Sequence, residues 1–148
     1  MILVLGYGNP TRSDDAASWE VVRRLEAREI PGVELRSSQQ LEVELVEEWG
    51  AYERVLFIDS DPRVDKVLVE KVAPDGDAAA STHHLTPGAL LKLSKILYVS
   101  TPQLYLCRVP ARDFKFGETF SPETRQAMDE AVEAVLSWIH EKPLGTGG

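Results

Sequence analysis

The sequence is poor in cysteine and in positive charge, and each scarcity excludes a class of protein. Cys107 is the only cysteine, so the chain cannot form an internal disulfide bond, and its apolar surroundings in 104–109 predict a buried side chain rather than a nucleophile. Lysine and arginine number 16 against 24 acidic residues, which gives a formal net charge of -8. Nucleic-acid binding requires clustered positive charge, so no nucleic-acid partner is expected.

Long apolar runs are also missing. No run approaches the roughly 20 residues that span a bilayer, and the first residues form a strand-like segment instead of a signal-peptide pattern. We therefore expect no membrane partner and a cytoplasmic location. The 148 residues suffice for one domain with its own core. We expect that domain to cover residues 1–142 and residues 143–148 to be a disordered tail.

Apolar segments alternate along the chain with amphipathic helical patterns, which predicts an α/β fold with a mostly parallel sheet. Residues 66–72 alternate apolar and charged side chains, as in a strand near a sheet edge. Strand patterns cover residues 2–5, 33–36, 54–59, 66–72 and 103–109. Four helical patterns are present: one after Ser13, one over 41–49, one that begins at Pro87 after the cap Thr86, and one from Pro122, after the cap Ser121, to His140. Leu90, Leu93 and Leu97 form the apolar stripe of the third helix.

The segment 5–15 is a candidate wall of a site. Gly6 and Gly8 permit a tight turn after the first strand, and Ser13 is a plausible helix N-cap that places Asp14 and Asp15 in the first turn. Acidic residues at that position commonly serve only to complement the helix dipole. The segment by itself therefore leaves a structural and a functional interpretation open.

A second carboxylate, Asp59, ends the apolar strand 54–59 abruptly. Ligands of parallel α/β folds bind beyond the carboxyl ends of the strands, where Asp59 and the 5–15 segment are both predicted to lie. Asp59 could equally be a turn residue, because 59–62 reads Asp-Ser-Asp-Pro. His83 and His84 precede the predicted helix at Pro87 and are candidate site residues, whereas His140 near a helix C-terminus suits a structural role.

The sequence lacks several familiar catalytic motifs, which excludes the enzyme classes that depend on them. Thr11 stands where a dinucleotide fingerprint needs its third glycine, and there is no Walker A loop, nucleophile elbow or zinc helix. Carboxylates with imidazoles suit a borderline divalent metal such as nickel, zinc or manganese, and a carboxylate pair can also activate water directly. The residues alone indicate a hydrolase or a metal-binding protein and do not choose between them.

Four sequence features follow one another along the chain: Gly-Tyr-Gly-Asn-Pro at 6–10, Ser-Asp-Asp at 13–15, the strand ending in Asp59, and Ser-Thr-His-His-Leu-Thr-Pro-Gly-Ala-Leu-Leu at 81–91. Together and in this order they resemble the maturation endopeptidases of [NiFe] hydrogenases, and the similarity extends over nearly the whole chain. Residues 116–118 and 121–122 are similar to the branch that serves soluble, NAD-reducing-type hydrogenases.

The resemblance implies a twisted five-stranded sheet between helices, of the phosphorylase/hydrolase-like type, and an aspartic, metal-assisted peptidase. Its partner would be the hydrogenase large-subunit precursor, which loses a C-terminal extension after nickel insertion. Asp15, Asp59 and His83 match the family's nickel-ligand and catalytic positions, with His84 in reserve. The resemblance also implies that nickel arrives with the substrate and that the free enzyme holds no metal.

One position departs from the family pattern. A glycine usually follows the first aspartate of the acidic pair by four residues, and here that position is Ser18. Two other hypotheses remain at this point: a non-catalytic nickel-sensing chaperone or binding module that uses the same residues, and a nucleotide- or sugar-binding protein in which Asp14 and Asp15 only start a helix.

Overall fold

A twisted five-stranded sheet forms the centre of the molecule. The computed structural model describes residues 1–74, 85–97 and 100–141. The strand order is β2-β1-β3-β5-β4, with β4 antiparallel to its neighbour and the other pairs parallel. The mostly parallel sheet expected from the sequence is thus confirmed. The strands are β1 (Ile2–Tyr7), β2 (Val33–Ser38), β3 (Arg54–Asp61), β4 (Leu68–Lys71) and β5 (Gln103–Pro110).

Helices cover both faces of this sheet. Buried side chains of α1 and α4 pack on one face, while those of α2 and α3 pack on the other. Because side chains alternate along a strand, successive residues of β3 contribute to opposite cores. The helices are α1 (Ala17–Glu26), α2 (Leu45–Glu48), α3 (Pro87–Ile96) and α4 (Pro122–His140), and short 3-10 turns lie at Ser13–Ala16 and Trp49–Ala51.

The helix predicted over 41–49 is shorter than expected. Only Leu45–Glu48 is α-helical, followed by the 3-10 turn, and no side chain caps its start. Gly50 in that turn also weakens a longer helix. The apolar stripe is nevertheless correct, because Leu41, Leu45 and Trp49 are all buried.

Two of the three predicted caps are confirmed. The Thr86 hydroxyl accepts a hydrogen bond from the Ala89 amide at 3.0 Å, and the Ser121 hydroxyl accepts one from the Thr124 amide at 3.3 Å. The prediction for Ser13 is wrong. Its φ is 48°, it lies inside the 3-10 turn, and its hydroxyl donates to the Lys115 carbonyl at 2.8 Å.

The structure also bears on the predictions for Cys107, His140 and the apolar stripe of α3. Cys107 is buried, and burial raises its thiol pKa to about 12, so it is no nucleophile. Nδ1 of His140 lies 2.7 Å from the Leu136 carbonyl oxygen, in keeping with a structural role. Leu90 is buried as expected, but Leu97 is 55% exposed because it lies just beyond α3. None of the helices that the structure describes is long and apolar enough to cross a membrane.

Candidate active site

The ends of two adjacent parallel strands bring the predicted carboxylates to one edge of the sheet. β1 ends at Tyr7 and β3 at Asp61, and Gly6 pairs with Ile58 in their shared register. The segment that leaves β1 carries Asp15, while Asp59 lies near the end of β3. The two carboxylates are close enough for the charge of Asp15 to raise the pKa of Asp59. Asp15 and Asp59 thus lie near each other at this edge, while their roles in a site stay a prediction.

Asp15 is held at this edge by the glycine loop. Its Oδ2 accepts a hydrogen bond from the Asn9 amide at 2.7 Å. A Cβ at position 8 would overlap the backbone oxygen of Asp15 and would lie 3.1 Å from its Oδ1. Gly8 therefore permits the close approach that fixes the Asp15 carboxylate.

Asp59 is partly buried, and its surroundings disfavour the ionised form of its carboxyl group. Alternation along β3 places it on the same face as Phe57 and Asp61, towards α3. Burial, followed by repulsion from Asp15 and Asp61, raises the pKa of Asp59 to about 7. The neighbouring Tyr7 hydroxyl and the charge of Arg108 act to lower the pKa of Asp59 but do not cancel that rise. Near neutral pH this carboxyl group can both take up and release a proton.

The turn beyond β3 is made by Asp61, so the alternative interpretation of Asp59 as a turn residue is wrong. Asp61 is only 2% exposed, and its Oδ1 accepts from the Arg63 amide at 2.8 Å and from Arg63 Nε at 3.0 Å. Arg108 Nη1 donates to its Oδ2 at 2.7 Å. Burial acts to raise the pKa of Asp61, but these hydrogen bonds outweigh it and hold the pKa at about 2. Asp61 is therefore an ionised structural carboxylate beside Asp59.

Arg108 connects the site to the edge strand β4. It is the β5 residue directly opposite Asp59, and its Nε donates to Glu70 of β4 at 2.6 Å. With the bond to Asp61, the guanidinium group bridges two carboxylates on neighbouring strands. Arg108 is not predicted from the sequence, because its position beside Asp59 depends on the β3–β5 register.

Tyr7 is a second residue of this site that the sequence did not predict. It follows the β1–β3 pair Gly6–Ile58, and its hydroxyl lies close enough to the Asp59 carboxylate to influence the pKa of that group. Its ring packs edge-on against Phe57, with centroids 6.5 Å apart. Burial and the neighbouring Asp59 raise the pKa of the Tyr7 hydroxyl above its ordinary value, so the hydroxyl remains protonated and able to donate.

A cavity of about 470 Å³ opens beside these groups. Its walls come from the ends of β1, β3 and β5, from β4 and from the start of α3, and charged or polar side chains supply much of its surface. The charged and polar residues of its walls include Tyr7, Asp59, Arg63, Glu70, Arg108 and Thr86. The predicted site residue His83 and its neighbour His84 lie outside the described residues, so their place in this site stays a prediction.

Asp14 proves to be more than the helix-starting residue that the sequence suggested. It is fully buried, and its carboxylate accepts bonds of 2.7 to 2.8 Å from the amides of Arg112, Asp113 and Ser121 and from the Ser121 hydroxyl. Burial acts to raise its pKa, but these donors lower it overall. Asp14 thus fastens the 3-10 turn that carries Asp15 to the segment before α4.

The serine at the family's usual glycine position fits its surroundings. Ser18 is buried, and its hydroxyl donates to the Tyr7 carbonyl at 2.9 Å, which ties α1 to the end of β1. Close packing here depends instead on Gly6, because a Cβ there would lie 2.7 Å from the Ser18 carbonyl oxygen. The Ser18 side chain is therefore accommodated without opening the contact between helix and strand.

The carboxylate pair alone does not make a metal centre. Within residues 1–74, 85–97 and 100–141, no group of three histidine, cysteine, aspartate or glutamate side chains is arranged to hold a metal ion. Asp15 and Asp59 supply two oxygen donors whose mutual repulsion a divalent cation would relieve. These donors fit a metal whose other ligands come from His83 or from a bound substrate.

Comparison with solved structures identifies the fold. Three neighbours match this chain over nearly their whole lengths. Hydrogenase 2 maturation peptidase from Thaumarchaeota archaeon SCGC_AB-539-E09 is 25% identical, with a TM-score of 0.70 and coverage of 93% of this chain and 97% of that one. The [NiFe] hydrogenase maturation protease HycI from Thermococcus kodakarensis KOD1 is 20% identical, with a TM-score of 0.74 and coverage of 95% and 92%. The hydrogenase maturating endopeptidase HybD from E. coli is 19% identical, with a TM-score of 0.69 and coverage of 93% and 91%.

No protein-family model and no curated protein matches the sequence. The chain nevertheless has a defined class: an α/β domain with a carboxylate pair at the carboxyl edge of a mostly parallel sheet. Its fold is that of the [NiFe] hydrogenase maturation proteases, in agreement with the resemblance of its sequence motifs. The narrower resemblance to the branch that serves NAD-reducing-type hydrogenases stays a prediction.

Proposed function

We propose that this protein is an endopeptidase that removes the C-terminal extension of a [NiFe]-hydrogenase large-subunit precursor after nickel insertion. The observation that carries the proposal is the Asp15–Asp59 pair at the carboxyl edge of this fold. Structural similarity to hydrogenase maturation proteases supports a proteolytic role in hydrogenase maturation.

The site contains the groups that peptide hydrolysis requires. Asp59, with a pKa of about 7, is suited to accept a proton from water as the water oxygen attacks the scissile carbonyl carbon. The same proton can then pass to the amide nitrogen as the carbon–nitrogen bond breaks, which leaves a carboxylate and a free amine. The adjacent cavity, bordered by β4 and the start of α3, gives a polypeptide segment access to this carboxylate.

Nickel enters this proposal as part of the substrate. Asp15 and Asp59 offer carboxylate oxygens and His83 an imidazole nitrogen, a set of donors that suits a borderline divalent ion. A precursor with its nickel in place would thereby be distinguished from one without it. Recognition of the metal and activation of water would then share the same carboxylates.

The test is incubation of the protein with a nickel-loaded large-subunit precursor, followed by intact-mass measurement of the precursor. We expect loss of a C-terminal segment with the wild type and no loss with Asp59→Asn. Asp129→Asn is the matched control, because the Asp129 side chain is 79% exposed and pairs with Arg24 of α1, away from Asp59. Cleavage by Asp59→Asn at the wild-type rate would remove Asp59 from the mechanism.

The same experiment separates a protease from a nickel-sensing chaperone. A chaperone would form a stable complex with the loaded precursor and leave its mass unchanged. We expect cleavage instead, and we expect precursor without nickel to remain intact. Stable binding of the wild type with no cleavage would overturn the proposed activity in favour of that second function.

A further inference from the structure

We propose that Arg108 is a catalytic residue, whose guanidinium group donates a hydrogen bond to the oxygen of the scissile carbonyl group. This role rests on the proposed endopeptidase activity and adds a residue to its site. When the water oxygen bonds to the carbonyl carbon and Asp59 takes the water proton, the carbonyl electrons move to the oxygen that Arg108 contacts. They return as the carbon–nitrogen bond breaks and the proton passes to the departing nitrogen.

Strand register places Arg108 beside Asp59. β3 and β5 are parallel neighbours, and Asp59 is paired with Arg108 in their register. Side chains at paired positions of adjacent strands share a face of the sheet, and the strands lie roughly 4.8 Å apart. Both residues also border the cavity of about 470 Å³. A carbonyl group attacked by water at Asp59 would therefore lie within reach of the guanidinium group.

Two carboxylates on neighbouring strands fix this guanidinium group. Its Nη1 donates to Asp61 Oδ2 at 2.7 Å, and its Nε donates to Glu70 Oε1 at 2.6 Å. Asp61 is itself held, because it is buried and its Oδ1 accepts from the Arg63 amide at 2.8 Å. A donor whose position is fixed before the reaction stabilises developing charge without the cost of reorganisation.

The two anchoring bonds leave other N–H groups of Arg108 free. A guanidinium group has more donors than these bonds use. Arg108 makes no other hydrogen bond within the described part of the chain, and none to Asp59. Its side chain is 26% exposed and forms part of the cavity wall. The remaining donors are thus available to a group that enters the cavity.

Arg63 also borders the cavity but is less suited to this role. Its Nε and Nη2 both donate to Asp61, at 3.0 and 3.1 Å, and its side chain is 79% exposed. In water a hydrogen bond to the substrate replaces one to solvent, so its net contribution is small. Arg108 is more buried and is held from two strands, which favours it as the donor.

The experiment compares Arg108→Lys with the wild type and with Arg24→Lys. Lysine keeps the positive charge but lacks the planar set of donors. Arg24 is the matched control, because its Nε donates to Glu20 at 3.2 Å and its Nη1 to Asp129 at 2.6 Å. Its side chain is 33% exposed, close to the exposure of Arg108.

For Arg108→Lys we expect kcat for cleavage of the nickel-loaded precursor to fall about 100-fold, as when one donor to an oxyanion is removed. KM should change less than about twofold, because the hydrogen bond strengthens only as charge develops on the oxygen. Arg24→Lys should cleave at the wild-type rate. An unchanged kcat in Arg108→Lys, or an equal loss in both variants, would overturn the proposal.

Two further readouts separate direct donation from an effect through Asp59 or on substrate binding. The pH dependence of kcat should keep its position in Arg108→Lys, since the charge beside Asp59 is retained. A shifted pH dependence with an undiminished maximum would show that Arg108 acts only through Asp59. In the Asp59→Asn background, Arg108→Lys should bind the loaded precursor as tightly as the parent. Weakening that matches the loss in kcat/KM would make Arg108 a binding residue instead.

Glu70→Ala decides the matter if thermal unfolding shows that Arg108→Lys does not fold. It retains Arg108 and removes one anchor, so kcat should fall roughly 10-fold. Glu133→Ala, which removes the partner of Arg28, is its control. An unchanged kcat in Glu70→Ala would overturn the role of Arg108 while the proposed function stands. Failure of the wild type to cleave would overturn the proposed function, and the role of Arg108 with it.

Discussion

Ser121 donates both its backbone amide and its hydroxyl to the carboxylate of Asp14, each at 2.7 Å. The two residues are far apart in sequence, and their contact joins the 3-10 turn after β1 to the first residue before α4. The same hydroxyl caps α4 through the Thr124 amide. The buried Asp14 carboxylate thus fixes the backbone of the 3-10 turn that carries Asp15.

Replacement of Asp14 by asparagine should destabilise the protein by about 2–4 kcal/mol, because an amide group cannot accept all four hydrogen bonds and turns its own donors towards buried donors. Chemical denaturation at pH 7 measures this loss. Asp65→Asn is the control, since that side chain is fully exposed and should change stability by about 0.5 kcal/mol or less.

The loss in Asp14→Asn should also depend on pH. The hydrogen bonds lower the pKa of Asp14 below 3.8, so its stabilising effect is complete above that value and declines as the pH falls towards its folded-state pKa. The difference between wild type and variant should therefore shrink below about pH 4. A difference that stays constant down to pH 3 would contradict the ionised buried carboxylate.

The fold could be predicted from sequence because its signals are local and repeated. Each signal depends only on residues that are close in sequence. Examples are the apolar runs of β1 and β3, the caps Thr86 and Ser121, and the alternation in β4. Predictions from such local signals were wrong where a contact between residues far apart in sequence determines the structure. Ser13 looked like a cap, but its hydroxyl bonds to Lys115, 102 residues away.

The site could be predicted only in part for the same reason. Asp15 and Asp59 follow from the rule that ligands bind beyond parallel strands, together with the family motifs. The roles of Tyr7, Asp61 and Arg108 arise from strand register and from charges on neighbouring strands, which a single sequence does not display. Tyr7 lies between Gly6 and Gly8, and the two glycines indicate a turn without indicating a role for the tyrosine side chain.

Asp59→Asn should stabilise the metal-free protein at pH 8 while abolishing cleavage. The pKa of Asp59 is raised from 3.8 to about 7, so folding penalises its ionised form. The wild type should lose stability relative to the variant as the pH rises from 4 towards 7, and the gap should then level off. Each unit of pKa corresponds to about 1.4 kcal/mol, so the gap should reach a few kcal/mol.

Denaturation of both proteins with a chelator present, at intervals from pH 4 to pH 8, measures this gap. Asp129→Asn serves as the control, because an exposed carboxylate should give a difference of about 0.5 kcal/mol or less at every pH. A gap between wild type and Asp59→Asn that does not change with pH would show that Asp59 titrates at its ordinary value.

Gly8→Ala should disable the site by displacing Asp15. The added Cβ would overlap the Asp15 backbone oxygen, and the φ of 155° at Gly8 is one that side chains rarely adopt. A displacement of about 1 Å at a reacting group can reduce activity about 100-fold, and we expect cleavage to fall by that order. Gly50→Ala is the matched control, because its nearest contact would be 3.9 Å away. Precursor cleavage and thermal unfolding of both variants test this, and full activity in Gly8→Ala would show that catalysis does not require Asp15 to be held by the glycine loop.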